Sequence, residues 1–271
     1  MMRKIFSSQC AAELFARDRT FASPALVFFA VALVMFLQIP ANLIVRAGLV
    51  STGILLNELI AVAGVPLFFL FALRLDGSKI LPVGRIDVTL FAMLSAFMLG
   101  AVVLLDYATL ISEKLFPLSE EIKNALDAIM DAKSGGMIAW KLFLLCIMPG
   151  VCEEIFLRGF CQGSLAAKWG NTRAIVVTAA LFAMMHGNLN QMHLYFMLGI
   201  VFGWVFSATG SIWAAIFCHA FNNSWTFINH VRGFEFPIGR ATYGIDAAIA
   251  VIAAIFVATA AVMIVRRRSR F

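Results

Sequence analysis

Long apolar runs separated by short polar segments dominate the chain. A helix crosses the hydrocarbon core of a bilayer with about 20 residues. Runs near this length cover 21–45, 47–73, 88–105, 137–158, 174–188, 192–206, 211–229 and 247–265. Because backbone groups in lipid must satisfy their own hydrogen bonds, each run predicts a helix. The pattern therefore predicts an all-α, polytopic membrane bundle of about eight helices, with seven as the alternative count.

Residues 106–136 differ from these runs, since they hold six acidic and three basic residues. Apolar side chains nevertheless recur there at helical spacing, which predicts an amphipathic helix on the membrane surface. They are Leu115, Leu118, Ile122, Leu126 and Ile129. A second interfacial helix is expected over 1–20. We expect one membrane domain made of an N-terminal part (1–136), a central part (137–230) and a C-terminal helix with a basic tail (231–271).

The composition and the placement of charge support a membrane protein rather than a nucleic-acid-binding one. Hydrophobic residues make up 62% of the chain and charged residues only 13%, against about a quarter charged in soluble domains. Of the 21 Lys and Arg, fourteen lie in the N-terminal segment, 74–87, 158–173 and the C-terminal tail, and six lie in the alternate segments. The positive-inside rule then predicts that both termini lie in the cytoplasm. We expect the protein in the inner or plasma membrane of the cell.

The five cysteines do not predict a disulfide framework. No CxxC pair occurs, and most cysteines lie within apolar runs, where we expect them to pack as small apolar side chains. They are Cys10, Cys146, Cys152, Cys161 and Cys218.

Two adjacent carboxylates, Glu153 and Glu154, interrupt the fourth run. Charged residues inside membrane segments are rare and usually functional. Glu154 and Arg158 are four residues apart and share a helix face, so we predict that they form a partly buried ion pair. Glu153 has no basic residue at that spacing. Since burial disfavours the charged form of a carboxyl group, Glu153 suits a general base acting on water. A purely architectural Glu–Glu–Arg cluster is the alternative.

Two further apolar segments contain polar residues of types that are common in active sites. His186 ends an apolar run one turn after Phe182, whose ring is expected to pack on the imidazole. His219 and Asn223 share a face of the seventh run and would donate hydrogen bonds to a developing oxyanion. Taken singly, each of these residues is also explained as a hydrogen-bonded polar group between helices.

Together, EExxxR, FxxxH and HxxxN on three membrane segments resemble the CPBP family of intramembrane proteases, which includes type II CAAX prenyl endopeptidases and the bacterial Abi proteins. The resemblance covers about 137–230. It implies that Glu153 and His186 activate water and that His219 and Asn223 stabilise the oxyanion. Glu154, Arg158 and Phe182 would support them.

A metal is the alternative to activation of water by glutamate. Glu153, His186 and His219 would supply three zinc ligands and leave a position for water. However, the chain has no HExxH motif, and no two of these residues share a helix at i, i+4 spacing. The resemblance implies metal-free chemistry, so we expect no cofactor.

The leading hypothesis is thus an intramembrane endopeptidase that hydrolyses a membrane-associated peptide or protein, with or without a lipid anchor, in a cavity open toward the cytoplasm. Two other classes remain as alternatives. A proton-coupled transporter would line one pore with Glu58, Lys141 and Glu153. A non-catalytic scaffold or bacteriocin-immunity protein would keep the fold without turnover.

Overall fold

The computed structural model describes residues 20–233 and 243–268. The interfacial helix expected over 1–20 therefore lies, apart from Thr20, outside the described residues, as does Cys10. Throughout the described ranges the secondary structure is helical, without a strand. The predicted all-α bundle is confirmed.

Ten helices follow one another in the described residues. They are α1 (Pro24–Arg46), α2 (Val50–Ala72), α3 (Gly77–Ile80), α4 (Val88–Leu115), α5 (Glu120–Met130), α6 (Gly135–Trp169), α7 (Asn171–Met185), α8 (Met192–Thr209), α9 (Ile212–Arg232) and α10 (Tyr243–Arg268). Six are long and apolar enough to cross a membrane: α1, α2, α4, α6, α8 and α10. Helix α7 has only 15 residues, and α9 is not among the six. The predicted number of eight spans is thus not confirmed by length and composition.

The region between the third and fourth spans differs in its boundaries from the prediction. Helix α4 continues to Leu115, ten residues beyond the expected end, because its polar residues find partners inside the bundle. Asp106 accepts a hydrogen bond from the Trp225 indole at 3.0 Å, for example. The amphipathic helix begins only at Glu120, where the Ser119 hydroxyl accepts from the Ile122 N–H and caps the helix.

The fourth span extends beyond the predicted run 137–158, since α6 runs without a break from Gly135 to Trp169. Its regular α pattern is interrupted by two π-helical segments, Phe143–Ile147 and Ile155–Gly163. A third such segment, Asn57–Val62, lies in α2. Segments of this kind are rare and often occur at functional sites. Here Asn57–Val62 carries the buried Glu58, and Ile155–Gly163 carries the buried Arg158 and follows Glu154 directly.

Contacts among the described loops divide the bundle into two ends. The first, which we call the basic end, comprises 20–23, 73–87, 164–173, 209–212 and 266–268. Its parts are joined by an ion pair between Arg267 and Asp87. Ser211 also donates a hydrogen bond to the Gly84 carbonyl at 2.8 Å.

The opposite end, which we call the acidic end, comprises 47–49, 106–134, 186–191, 230–233 and 243–246. Asn190 donates to the Pro117 carbonyl at 2.8 Å, and Lys141 donates to the Ile129 carbonyl at 2.6 Å. These bonds hold α5 across the end of the bundle, where Asp127 also faces His230.

Glycine allows two of the helices that carry the site to approach each other closely. A Cβ added at Gly199 in α8 would lie 2.7 Å from the Cα of Ala179 in α7. Real Cβ atoms do not come this near to backbone, so any larger residue at 199 must push α7 away. The distance between His186 on α7 and the residues on α8 therefore depends on this glycine.

We expect Gly199→Ala to lower the free energy of unfolding by about 1–3 kcal/mol, the usual effect of overpacking. Gly136→Ala is the matched control, since nothing lies within 4 Å of a Cβ added at Gly136. The control should change stability by less than about 0.5 kcal/mol. The measurement is unfolding of the purified protein in mixed micelles. Equal stability of the two variants would contradict the close contact of α7 and α8.

Candidate active site

Glu154 lies at the centre of the polar cluster inside the bundle. Its side chain is fully buried, as is that of Arg158 one turn later. The Glu154 Oε2 and Arg158 Nε atoms are 3.1 Å apart, so the predicted ion pair is confirmed. Its other oxygen, Oε1, lies 2.8 Å from Nδ1 of His219 on α9. Because an ionised carboxylate only accepts, His219 donates this hydrogen bond.

Aromatic rings from two more helices enclose this cluster. The Arg158 guanidinium lies 5.2 Å from the ring centre of Phe182 and 5.6 Å from that of Phe202. Phe202 also stacks on the His219 imidazole, with ring centres 4.7 Å apart. These contacts hold the cation and the imidazole in an apolar setting where electrostatic attraction is strong.

Glu153 is in a different position, although it is the next residue. Its side chain lines the cavity described below. Its Oε2 atom is buried and has no hydrogen-bond partner in the described part of the chain. No described Lys, Arg or His lies within ion-pair distance. As predicted, Glu153 is the carboxylate left without a counterion, while Glu154 has two partners.

His186 is held from two sides. Its Nδ1 lies 2.8 Å from the Phe182 carbonyl, which accepts only, so Nδ1 carries the proton. In the neutral ring, Nε2 is then free to accept a proton. The Phe182 ring packs on the imidazole as expected, with centres 4.5 Å apart. Tyr195 stacks on its other side at 4.0 Å.

Asn223 is anchored through an irregularity of α6. Its Nδ2 atom donates to the Leu145 carbonyl at 3.3 Å. Pro149, four residues after Leu145, has no N–H to offer that carbonyl, which is one reason why it can accept from another helix. One N–H of the Asn223 amide remains for a ligand. Asn222, which we expected to point elsewhere, lines the same cavity and donates to the Asn223 Oδ1 atom at 3.3 Å.

A cavity of about 360 Å³ brings the predicted residues together. Glu153, His186, His219 and Asn223 all line it. A site of this size holds water and a few residues of a peptide. The other polar lining residues are Asp106, Thr109, Gln191, Tyr195, Asn222, Trp225 and Thr226. Residues of α6, of α9 and of the end of α7 line this polar cavity, and α4, α5 and α8 also contribute to its wall.

Glu58 is a second carboxylate close to this site. It is 4% exposed, so it lies inside the bundle and not at the interface. Asn57 donates to its Oε1 atom at 3.0 Å. Its π-helical segment packs against Met148–Glu154, the part of α6 that carries Glu153. Glu58 does not line the cavity, however, so it is a neighbour of the site.

The residues of the zinc alternative, Glu153, His186 and His219, share the cavity. No group of three His, Cys, Asp or Glu side chains within residues 20–233 and 243–268 is placed to hold a metal ion. Nδ1 of each of the two histidines bonds to a protein acceptor, which leaves Nε2 as the free ring nitrogen. The four described cysteines are free and buried, and do not join the cavity lining.

Several contacts of the site had no signal in the sequence. The bond from His219 to Glu154 joins residues 65 positions apart. Tyr195 and Phe202 occur in an apolar run without any polar marker, so their contacts with the histidines were not predicted. The spacing of residues along the sequence predicts only which side chains are neighbours on the same helix, whereas these pairs lie on different helices.

The fold and the site define a polytopic helical membrane protein with a polar cavity inside the bundle. Residues 135–225 match the family model described as Type II CAAX prenyl endopeptidase Rce1-like. The Bacillus subtilis (strain 168) protein named "Putative membrane peptidase YdiL" is 26% identical over 114 residues. That alignment covers 42% of this chain and 46% of the relative, so it spans less than half of either. No solved structure matches significantly.

The resemblance to the CPBP/CAAX protease family, predicted from three motifs, is therefore confirmed over the segment that carries them. The match begins and ends close to the bounds expected from the motifs, and it includes all four cavity residues proposed for chemistry.

We expect Arg158→Met to lower the free energy of unfolding by about 3–5 kcal/mol, because it leaves the buried Glu154 without its cation. Arg173→Met is the control, since Arg173 is exposed, and it should have little effect. Adding Glu154→Gln to Arg158→Met should recover at least half of the loss, since no charge is then left unpaired. Unfolding in mixed micelles measures all three variants. A double variant as unstable as the single one would contradict the assigned pairing.

Proposed function

We propose that this protein is an intramembrane endopeptidase in which Glu153 and His186 activate water. The observation that carries the proposal is the convergence of an unpaired carboxylate, two imidazoles and an amide on one cavity. A water molecule between Glu153 and His186 loses a proton to the carboxylate as its oxygen attacks the peptide carbonyl carbon. That proton then passes to the leaving amine, and the peptide bond breaks.

The tautomer of His186 supports this assignment. With its proton on Nδ1, the neutral ring presents an acceptor at Nε2 and orients the attacking water. The aromatic rings on its two faces restrict its rotation, which helps to hold the geometry that proton transfer requires.

The oxyanion is assigned to Asn223 and His219. The free N–H of the Asn223 amide donates to the developing charge. His219 already donates Nδ1–H to Glu154, so it donates to the oxyanion only with a second proton on Nε2. Donors of this kind typically contribute a factor of about 10²–10³ to the rate. Glu154 and Arg158 act as positioning residues that hold the imidazole.

The two alternatives receive less support. A transporter would need Glu58, Lys141 and Glu153 along one pore, but Lys141 binds the carbonyls of Ile129 and Asp131, and neither Lys141 nor Glu58 lines the cavity. A scaffold would not require an unpaired carboxylate beside two oriented imidazoles. A buried charge of this kind is costly, and without turnover it would bring no benefit.

We expect Glu153→Gln to slow cleavage by at least about 100-fold, because the amide cannot accept a proton from water. The measurement is mass spectrometry of membrane peptides from cells that express the wild type or the variant. Lys168→Gln is the control, since Lys168 is exposed at the basic end and does not line the cavity, and it should cleave at the wild-type rate. A Glu153→Gln protein that cuts its clients as fast as the wild type would disprove the proposal.

We further propose that turnover needs no metal ion. Incubation with a strong chelator followed by gel filtration should leave the rate within about twofold of its starting value, since Glu153 performs the activation that zinc would perform. The readout is cleavage of a client identified in the previous experiment. A loss of activity that added zinc restores would overturn the metal-free mechanism.

A further inference from the structure

The wall of the cavity shows where a substrate enters. Beyond the four residues proposed for chemistry, its lining includes Asp106 and Thr109 on α4, Ile129 and Met130 on α5, and Gln191. All of these belong to the acidic end. Among the lining residues none comes from the basic end as defined above. Thr109 is exposed, so the cavity reaches the surface of the bundle at the acidic end.

The distribution of positive charge assigns the two ends to opposite faces of the membrane. In the described residues, the basic end carries eight Lys and Arg against Asp76 and Asp87, with Arg158 excluded because it is buried in the cluster. The acidic end carries seven acidic residues against four Lys and Arg in its described ranges. The positive-inside rule places the basic end in the cytoplasm. The cavity therefore opens on the other face, which is the opposite of the cytoplasmic opening expected from the sequence.

Helix α5 forms part of the entrance and sets its charge. None of its residues is buried, and its last residues, Ile129 and Met130, line the cavity. Its exposed surface carries Glu120, Glu121 and Asp127 against Lys123 alone. Asp106 adds a further carboxylate to the lining. A polypeptide with Lys or Arg near the scissile bond is attracted to this entrance, whereas an acidic one is repelled.

We propose that the substrate is a basic, membrane-associated polypeptide segment presented on the extracytoplasmic face of the membrane. This inference rests on the proposed function and names its substrate class. The proposed substrate class excludes lipidated proteins that remain in the cytosol. The clients are instead translocated segments, or membrane proteins with a basic stretch beyond the extracytoplasmic end of a span.

Labelling of single cysteines tests the sidedness without any need for activity. In a Cys10→Ser background, Thr109→Cys places a thiol at the cavity entrance, and Thr172→Cys places a matched thiol at the basic end, where Thr172 is exposed. We expect a membrane-impermeant maleimide to label Thr109→Cys at least tenfold more in intact spheroplasts than Thr172→Cys. Inverted membrane vesicles should show the reverse. The background variant alone corrects for the buried native cysteines.

The cleavage sites test the substrate class. Sites lost in the Glu153→Gln strain should lie on extracytoplasmic segments of their clients, with more Lys and Arg than Asp and Glu in the flanking ten residues. Labelling of Thr109→Cys from the cytoplasmic side would overturn the inference, although Glu153-dependent cleavage would still support the proposed function. Cleavage sites on cytoplasmic or acidic segments would likewise overturn it. A strain without any Glu153-dependent site would count against the proposed function, while the labelling would still decide the sidedness.

Discussion

A carboxylate without water around it needs partners, and at Glu154 they come from two helices. Arg158 lies on the same helix and His219 on α9, each at hydrogen-bonding distance from one oxygen. Moving such a charge out of water costs several kcal/mol unless it is paired. The bundle therefore keeps α6 and α9 in a fixed register, and Phe182 and Phe202 extend this constraint to α7 and α8.

The contrast between two neighbouring glutamates follows from this arrangement. Successive residues on a helix point about 100° apart, so when Glu154 faces the cluster, Glu153 faces the cavity. There the second carboxylate finds no cation, and it retains the capacity to take a proton. The same rotation of α6 thus produces one paired carboxylate inside the cluster and one unpaired carboxylate in the cavity. Neither role follows from the residue type, since the two residues are identical.

The residues that line the cavity near its opening all lie toward one end of the bundle. His186 lies at the end of α7, and Asp106, Gln191 and Trp225 lie near the same face of the bundle. Helix α5 covers part of that face and is held there by bonds from Lys141 and Asn190. Glu153 is therefore reached from this one end of the bundle. Deeper in the bundle, packed rings and the buried ion pair close the path to the basic end, so the arrangement differs from that of a pore.

Patterning along the chain predicted part of what depends on one helix at a time. The apolar runs predicted helices because lipid permits few alternatives, and i, i+4 spacing predicted the pair of Glu154 and Arg158, but the π-helical segments and the number of spans were not predicted. It did not predict how far α4 extends, because Asp106 is tolerated there only through its bond to Trp225 on another helix. Nor could it show that Glu154 holds His219, that Tyr195 stacks on His186, or at which end the cavity opens. Those properties depend on distances between helices, which close packing sets and linear spacing does not record.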